Sequence, residues 1–495
     1  MNKEHFYLTS ANLNFFPHSL VRQGGLEFGL AQTADGSRLA ILGTPGLPAL
    51  NEFKGERSEL GEQTLLLGVP NPHNAAALRD RLAWLQPGLL GLRTSAGLGD
   101  RIGLATPGHV RAIRATGGQI APIFAQQSIR EMTRTGRSPQ QVMDDATWGI
   151  FQEGWREGIG ADADHLKTTA DIDACLAAGF TFFTIDPGAH VENRAETARL
   201  NELRELSTAL PDNLQPHASG LLNRTFAIEG YSLHFDEATL LKAAVKYGRA
   251  IGHVSVMYHY LARAAGSRPF ELEVSVDETE QPTSHAEHLY ITSELKRLGV
   301  KWISLAPRFV GRFEKGVDYI GDLATFEADL AGHAAIARHF GSYKLSLHSG
   351  SDKFSIYPIA MRQTRGLVHL KTAGTSYLEA LRTIGAIDPA FFSEIYTFAR
   401  EHYETDKTSY HVSAQLGHAL SPETVRDWPG LLEQFDAREI LHVTFGSVLT
   451  EKMPDGTLRF YNRLMEILRA NPESYAANLE KHFVRHLAPF RPVEG

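Results

Sequence analysis

One stretch decides the fold: Tyr343-Lys344-Leu345-Ser346-Leu347-His348-Ser349-Gly350-Ser351-Asp352-Lys353-Phe354. Leu345 and Leu347 alternate with polar residues, which is the two-residue period of a β-strand, and the run then breaks into a turn rich in glycine, serine and aspartate. Apolar residues at helical spacing precede this strand and end at Gly341, and a second helical pattern follows near Met361. This order of elements predicts a parallel β/α unit, whose chemistry lies beyond the carboxyl end of its strand.

Similar apolar runs that end in polar residues predict an α/β protein built on a TIM-like (β/α)8 barrel. The eight predicted strands are 120–128, 159–165, 181–187, 270–276, 302–308, 344–350, 367–373 and 440–446. We therefore expect a catalytic barrel at 116–495 and an N-terminal subdomain or cap at 1–115. Helical insertions are expected near 188–268 and 374–438, because these gaps are too long for simple crossovers.

Composition excludes several classes of protein. The net charge of −8 gives no general attraction to nucleic acid or to anionic membranes, and no apolar stretch reaches the roughly 20 residues of a membrane span. Cys175 is the only cysteine, so an intrachain disulfide and a thiolate metal cluster are both excluded. The first five residues show no signal-peptide pattern, and we expect a cytoplasmic enzyme for a small-molecule substrate. Long insertions on a barrel also make subunit contacts, so a homo-oligomer fits the sequence.

The polar residues at the predicted strand ends indicate a metal site. His165 and His348 follow different strands, and carboxylates such as Asp277 follow others. Two imidazoles with carboxylates suit one divalent cation such as Zn²⁺, Mn²⁺, Ni²⁺ or Co²⁺, whereas Mg²⁺ prefers oxygen ligands throughout. The glycines at 97, 99 and 103 do not have the spacing of a dinucleotide loop, so no nicotinamide site is expected.

Two carboxylates are candidates for acid/base work. Asp164 lies in the final turn of a strand, where it and His165 can both reach the barrel mouth, although Asp164 can instead cap the next helix. Glu273 alternates with Leu272 and Val274, which places it in the barrel interior. A carboxylate there is costly unless it is paired or ligates a metal.

Further polar residues are candidates for binding substrate. The Arg308 guanidinium can form a bidentate contact with a carboxylate of the substrate or with a carboxylate of the protein. Lys344 is a second cation that can hold a substrate carboxylate. Glu314 is a candidate third metal ligand, with a role in a surface loop as the alternative. The other candidates lie at strand ends or after His348: Gln127, Ser349, Asp352, Lys353, Lys371 and Thr372.

Four motifs resemble the tagaturonate/fructuronate epimerase family, which includes tagatose 4-epimerases acting on uncharged ketohexoses. They are Asp164-His165, Glu273 with Asp277, Leu305-Ala306-Pro307-Arg308-Phe309 and the block at 348–354. The resemblance implies a metal-dependent barrel enzyme in which Asp164 accepts a proton, Glu273 donates one, and His165 and His348 bind the metal. It does not place the remaining ligand, for which Glu314 is the hypothesis.

The resemblance implies an epimerase that interconverts D-tagaturonate and D-fructuronate, with D-tagatose and D-fructose as alternative substrates. The inverted carbon, C4, is β to the C2 ketone, so plain enolisation cannot epimerise it. Retro-aldol cleavage of the C3–C4 bond, followed by aldol closure on the other face, can do so. Two alternatives stay open, a metal-dependent aldolase that releases its fragments and a non-catalytic sugar-binding barrel.

Overall fold

The N-terminal part of the chain forms an antiparallel sheet. The computed structural model describes residues 6–33 and 36–491, so the signal-peptide prediction, which concerns the first five residues, lies outside the described residues. The strands pair in the order β1, β3, β4, β6, β5, with β2 beside β3. Their bounds are β1 (Asn14–Phe15), β2 (Val21–Gln23), β3 (Leu26–Thr33), β4 (Gly36–Gly43), β5 (Glu56–Leu60) and β6 (Gln63–Gly68).

Eight parallel strands close into a barrel, which confirms the predicted fold class. The strands that follow the N-terminal sheet are β7 (Ser95–Gly97), β8 (Ala121–Ser128), β9 (Gly160–Leu166), β10 (Phe182–Ile185), β11 (Thr225–Ile228), β12 (Tyr231–His234), β13 (Glu271–Val276), β14 (Ser304–Pro307), β15 (Lys344–Leu347) and β16 (Val368–Lys371). All except β11 and β12, which form a separate hairpin, pair in chain order around the barrel, and β16 returns to β7. Their carboxyl ends therefore meet at one face.

One of the eight predicted strands was wrong. Residues 440–446 lie in two helices, and the barrel instead contains β7, inside the range predicted as the N-terminal subdomain. A short apolar run such as Ile440-Leu441 fits a buried strand and a buried helix equally well, because both are covered on every side. Strand β7 has three residues with only Ala96 aliphatic, too few to give a two-residue period.

Helices cover the barrel and fill both predicted insertions. The described helices are α1 (Pro72–Arg81), α2 (Thr106–Ala115), α3 (Ile129–Thr135), α4 (Pro139–Glu153), α5 (Thr169–Ala178), α6 (Leu200–Thr208), α7 (Glu237–Ala265), α8 (His285–Arg297), α9 (Leu323–His339), α10 (Tyr357–Thr364), α11 (Thr375–Ile387), α12 (Pro389–Asp406), α13 (Phe435–Val443), α14 (Phe445–Thr450), α15 (Tyr461–Ala470) and α16 (Pro472–Leu487). A capping box at Ser284 begins α8, since Ser284 and Glu287 exchange hydrogen bonds with each other's backbone.

The N-terminal sheet and the barrel share one apolar core. Phe28 and Ile41 of the sheet belong to the same buried cluster as Phe151 of α4 and Leu345 of β15. Cys175 is also buried in this core. No helix in the described part of the chain combines the length and the apolar character needed to cross a bilayer.

Candidate active site

A bulge at the end of β9 turns two consecutive side chains toward the barrel mouth. Ala163 pairs with Phe183 and Leu166 pairs with Ile185, so β9 contains one more residue than β10 across this interval. His165 accordingly has a φ of 55°, in the left-handed region that few residues other than glycine adopt. In a regular strand, Asp164 and His165 would point to opposite faces. Because of the bulge, both side chains line the same pocket.

Two histidines and an aspartate meet at this mouth as a candidate metal centre. One possible ligand atom from each of His165, Asp277 and His348 lies within 4.8 Å of the others. His348 Nδ1 is 3.2 Å and His165 Nε2 is 3.9 Å from Asp277 Oδ1. The two rings approach with their centroids 4.9 Å apart.

The second nitrogen of each imidazole contacts a further carboxylate. His165 Nδ1 lies 2.7 Å from Asp164 Oδ1, and His348 Nε2 lies 2.7 Å from Glu273 Oε1. Metal-binding histidines in proteins are commonly held in this way, because the carboxylate fixes the tautomer and the ring orientation. The donor set of two imidazoles and a carboxylate therefore fits a divalent transition metal.

Lys371 forms ion pairs with three buried carboxylates next to this centre. Its Nζ lies 2.6 Å from Asp164 Oδ1, 2.8 Å from Glu273 Oε1 and 3.0 Å from Asp162 Oδ2. Burial alone would lower the pKa of Lys371, but the three carboxylates outweigh it and raise this pKa well above its usual value. The side chain is therefore an ammonium at neutral pH.

Both carboxylate oxygens of Glu273 contact polar side chains. Oε1 lies 2.8 Å from Lys371 Nζ and 2.7 Å from His348 Nε2, and it accepts from Thr184 Oγ1 at 3.2 Å. Oε2 accepts from Ser304 Oγ at 2.6 Å. Burial would raise the pKa of Glu273, but Lys371 and His348 hold it well below its usual range. Glu273 is thus ionised. Its neighbours Lys371 and His348 line the pocket and connect Glu273 to it.

The pocket above the centre has a volume of about 410 Å³, within the usual size range of small-molecule sites. Of the predicted site residues, its wall contains Asp164, His165, His348, Ser349 and Lys371.

The other predicted substrate-binding residues are absent from this wall. Lys353 Nζ donates to the carbonyl oxygens of Glu314, Val317 and Ser351, so it ties loops together. Asp352 accepts from Arg438 at 3.0 Å and lies 2.7 Å from His482 Nε2, so it anchors the loop after β15 to the C-terminal helix. The structure therefore does not bring these two candidates to the pocket that contains His165 and His348.

Arg308, Gln127 and Thr372 are also engaged elsewhere. Arg308 donates to the carbonyl oxygen of Thr279, and among the described residues no carboxylate lies within 4.0 Å of its guanidinium nitrogens. Gln127 Oε1 accepts from Arg137 at 2.8 Å, and Thr372 Oγ1 donates to the carbonyl oxygen of Gly97 at 2.8 Å. Gln126, the neighbour of Gln127, is the glutamine that reaches the site. Its Nε2 donates to Asp164 Oδ2 at 3.1 Å.

Glu314 does not belong to the candidate metal centre. Its Oε2 accepts from the backbone N–H and the hydroxyl of Ser413, at 2.9 and 2.7 Å. Arg312 lies 3.3 Å from the other oxygen. The loop that carries Glu314 folds toward residue 413, and Asp277 takes the place that the sequence hypothesis gave to Glu314.

The sequence assigns no individual role to three residues of the site. In the sequence, Asp277 is only one carboxylate among those at strand ends, and Asp162 is one of two acidic residues in β9. Lys315 lies in an irregular loop after β14 and gave no signal, because no periodicity fixes the direction of a loop side chain.

Comparison with known proteins agrees with this architecture. The family model UxaE, described as tagaturonate epimerase, matches residues 16–490. The chain is 43% identical over 487 residues to the tagaturonate/fructuronate epimerase of Thermotoga maritima, covering 98% of each sequence. Crystal structures of the fructuronate-tagaturonate epimerase UxaE from Cohnella laeviribosi, native and complexed with glycerol, match with a TM-score of 0.91 at 38% identity, covering 98% of this chain and 97% of that chain. This protein is therefore an isomerase that belongs to the tagaturonate epimerase family.

Proposed function

We propose that this enzyme interconverts D-tagaturonate and D-fructuronate by inverting the configuration at C4. The observation that carries the proposal is the near-full-length similarity to the Thermotoga maritima epimerase, which is named for these two substrates. The pocket supports it, because a proton acceptor, an ammonium and a candidate metal centre line one wall of suitable size.

We propose that the reaction proceeds by cleavage of the C3–C4 bond, because plain enolisation cannot invert C4. Removal of the proton from the C4 hydroxyl lets the C3–C4 bonding electrons move to C3, which yields an aldehyde at C4 and an enediolate over C2 and C3. The aldehyde then turns its other face, C3 attacks it again, and the C4 oxygen recovers a proton. No atom is gained or lost, and the C4 hydrogen stays on its carbon throughout.

We propose that Asp164 and Lys371 move this proton. Asp164 lines the pocket, and Lys371 lies 2.6 Å from its Oδ1, so an ammonium stands beside the acceptor. The resemblance assigns proton donation to Glu273, which is ionised and reaches the pocket through Lys371. We propose that Lys371 delivers the proton to the C4 oxygen and that Glu273 keeps Lys371 charged.

His165, Asp277 and His348 are proposed to hold a divalent cation such as Zn²⁺, Mn²⁺, Ni²⁺ or Co²⁺. When bound, the cation would supply a Lewis acid for the negative charge that develops at the ketone end of the substrate. Asp164 and Glu273 then have a second task, since each orients one of the two imidazoles.

Neutral ketohexoses are proposed as alternative substrates. D-tagatose and D-fructose have the same ketone and the same C4 hydroxyl as the uronates and differ at C6, where a hydroxymethyl group replaces the carboxylate. The groups that act on C4 do not distinguish the two classes, so the difference must arise where C6 binds.

The decisive experiment follows D-tagaturonate and D-tagatose by NMR and chiral chromatography with the metal-reconstituted protein. We expect the C4 epimer of each as product and no deuterium from D₂O at C3 or C4. Accumulation of dihydroxyacetone and tartronate semialdehyde from the uronate would instead identify an aldolase. Substrate binding without turnover, unchanged by chelation, would identify a sugar-binding barrel.

Isotope effects test the retro-aldol route separately. Substrate labelled with deuterium at C4 should show only a small secondary effect, because that hydrogen is not transferred, whereas ¹³C at C3 or C4 should slow the reaction. A large primary deuterium effect at C4 would favour transient oxidation of the C4 alcohol and would contradict bond cleavage.

A further inference from the structure

Five lysine and arginine side chains line the pocket, and four of them contact a carboxylate of the protein. The four pairs are Arg101 with Glu131, Arg130 with Glu278, Lys167 with Asp186 and Lys371 with Asp164. Lys315 is the exception, since within residues 6–33 and 36–491 no carboxylate lies within 4.0 Å of its Nζ. Its positive charge is therefore the one in the wall that the protein does not pair.

Among the residues that the structure describes, one hydroxyl group holds the Lys315 ammonium in place. Its Nζ donates to Ser349 Oγ at 2.5 Å, and Ser349 lines the same pocket. An ammonium has three N–H donors, so this contact leaves two for a ligand. Ser349 has a φ of 48°, a strained conformation directly after His348 that the loop maintains at the pocket.

A desolvated, unpaired ammonium is costly for the free enzyme. Burial lowers the pKa of Lys315, although Glu278 and Asp277 act in the opposite direction from a greater distance. A ligand anion would restore the charge balance and form charge-assisted hydrogen bonds, which are about twice as strong as neutral ones. A hydroxymethyl group in the same place would supply no charge.

We propose that Lys315, positioned by Ser349, binds the carboxylate group of the sugar acid and sets the preference for ketohexuronates over ketohexoses. This inference rests on the proposed function, whose C4 chemistry does not depend on the group at C6. It assigns to Lys315 the role that the sequence suggested for other cations.

Those other cations are unsuited to the role. Lys344 Nζ donates to Ser95 Oγ at 2.9 Å inside the barrel, at the start of its strand and away from the mouth. Lys353 is occupied by three carbonyl oxygens, and Lys371 by three carboxylates. Lys167, the third lysine of the wall, lies 3.1 Å from Asp186. Lys315 is therefore the wall lysine that has spare donors and, among the described residues, no carboxylate partner.

The test compares wild type, Lys315→Met and Lys315→Arg on D-tagaturonate and D-tagatose. We expect Lys315→Met to raise KM for the uronate by about 10- to 100-fold, the scale of a lost hydrogen bond to a charged group, and to leave KM for tagatose within about twofold. Lys315→Arg should recover part of the uronate affinity because it keeps the charge. An equal loss on both substrates, or an unchanged KM for the uronate, would overturn the inference.

A binding measurement keeps this test independent of turnover. Calorimetric titration with D-galacturonate and with D-galactose, a sugar acid and its neutral counterpart, should show a preference for the acid in wild type that Lys315→Met abolishes. Equal binding of both sugars to wild type would reject the subsite even if the enzyme is an epimerase. A preference that Lys315→Met removes would support the subsite even if neither ketose were converted.

Discussion

His348 Nε2 lies 2.7 Å from Glu273 Oε1, while the Nδ1 atom of the same ring lies 3.2 Å from Asp277 Oδ1. If the neutral ring donates its Nε2 hydrogen to Glu273, the Nδ1 lone pair is left for a cation beside Asp277. The contact between His165 Nδ1 and Asp164 has the same effect on the other ring. The two predicted acid/base carboxylates therefore also orient the predicted metal ligands.

Glu273→Gln is expected to lower metal affinity by about 10- to 100-fold, because an amide orients and polarises the His348 ring less strongly than a carboxylate. It should also lower kcat by about 10²-fold or more when the metal is saturating, since it weakens the hold on Lys371. Equilibrium dialysis with Zn²⁺ and steady-state kinetics separate the two effects. Unchanged metal affinity would show that Glu273 does not orient the ligand.

Asp164→Asn is the matched variant on the other ring. We expect a comparable loss of metal affinity, because Asp164 contacts His165 as Glu273 contacts His348. Its kcat at saturating metal should fall by about 10²-fold or more, because an asparagine cannot accept the C4 proton. If this variant kept a normal kcat, Asp164 would not be the group that accepts the proton.

The identity of the third ligand can be tested by metal content. Asp277→Asn and His348→Ala should each lose bound metal, whereas Glu314→Gln should keep it, because Glu314 is occupied by Ser413. Elemental analysis of the purified proteins is the measurement. If Glu314→Gln loses the metal and Asp277→Asn retains it, the assignment is reversed.

Removal of the metal should abolish turnover. After treatment with EDTA and gel filtration we expect no epimerisation, and we expect Zn²⁺, Mn²⁺, Ni²⁺ or Co²⁺ to restore it to different degrees. The control is the thermal unfolding of the chelated protein, which should remain cooperative. Full activity in a chelated sample shown to be free of metal would contradict the proposal.

The sequence predicts those parts of the site that strand geometry fixes. His165 and His348 were expected to meet because parallel strands end at one face of a barrel, and their rings do lie 4.9 Å apart. Glu273 was placed inside the barrel by its alternation with Leu272 and Val274, and it is fully buried. These predictions follow from the two-residue period of the strands and do not depend on the conformation of the loops.

Loop side chains could not be predicted in the same way. Lys353 and Lys315 both belong to polar loops, yet Lys353 is drawn inward by carbonyl oxygens from residues 314 and 317, and Lys315 reaches the pocket. The missing strand β7 and the helices at 440–446 show a second limit. Three residues are too few to show a period, and a buried helix is as apolar as a buried strand.

Lys371→Met should be strongly destabilising as well as inactive. Asp162, Asp164 and Glu273 would remain buried without their common counter-ion, which typically costs about 3–5 kcal/mol. Chemical denaturation monitored by tryptophan fluorescence is the measurement. Adding Asp162→Asn to Lys371→Met should recover part of the lost stability, since one of the buried charges is then removed. If the effects of the two substitutions on the free energy of unfolding were purely additive, that result would argue against the network.

His109 is expected to make stability depend on pH. Burial holds the pKa of His109 at about 4, below its usual value of about 6.5. Because the unfolded chain binds this proton more readily, the contribution of neutral His109 is fully present above pH 6.5 and is lost as the pH falls toward 4. The free energy of unfolding should therefore drop by on the order of 2 kcal/mol between pH 7 and pH 5 from this residue alone.

The matched variant is His109→Gln, which can still hydrogen-bond the Ser376 hydroxyl that lies 2.9 Å from His109 Nε2 but cannot titrate. It should be less stable than wild type at pH 7, because the new side chain packs less well, and it should lose less stability on acidification. Urea denaturation at pH 7 and pH 5 gives the two slopes. Equal losses of stability in wild type and variant would mean that the pKa of His109 does not differ between the folded and the unfolded protein.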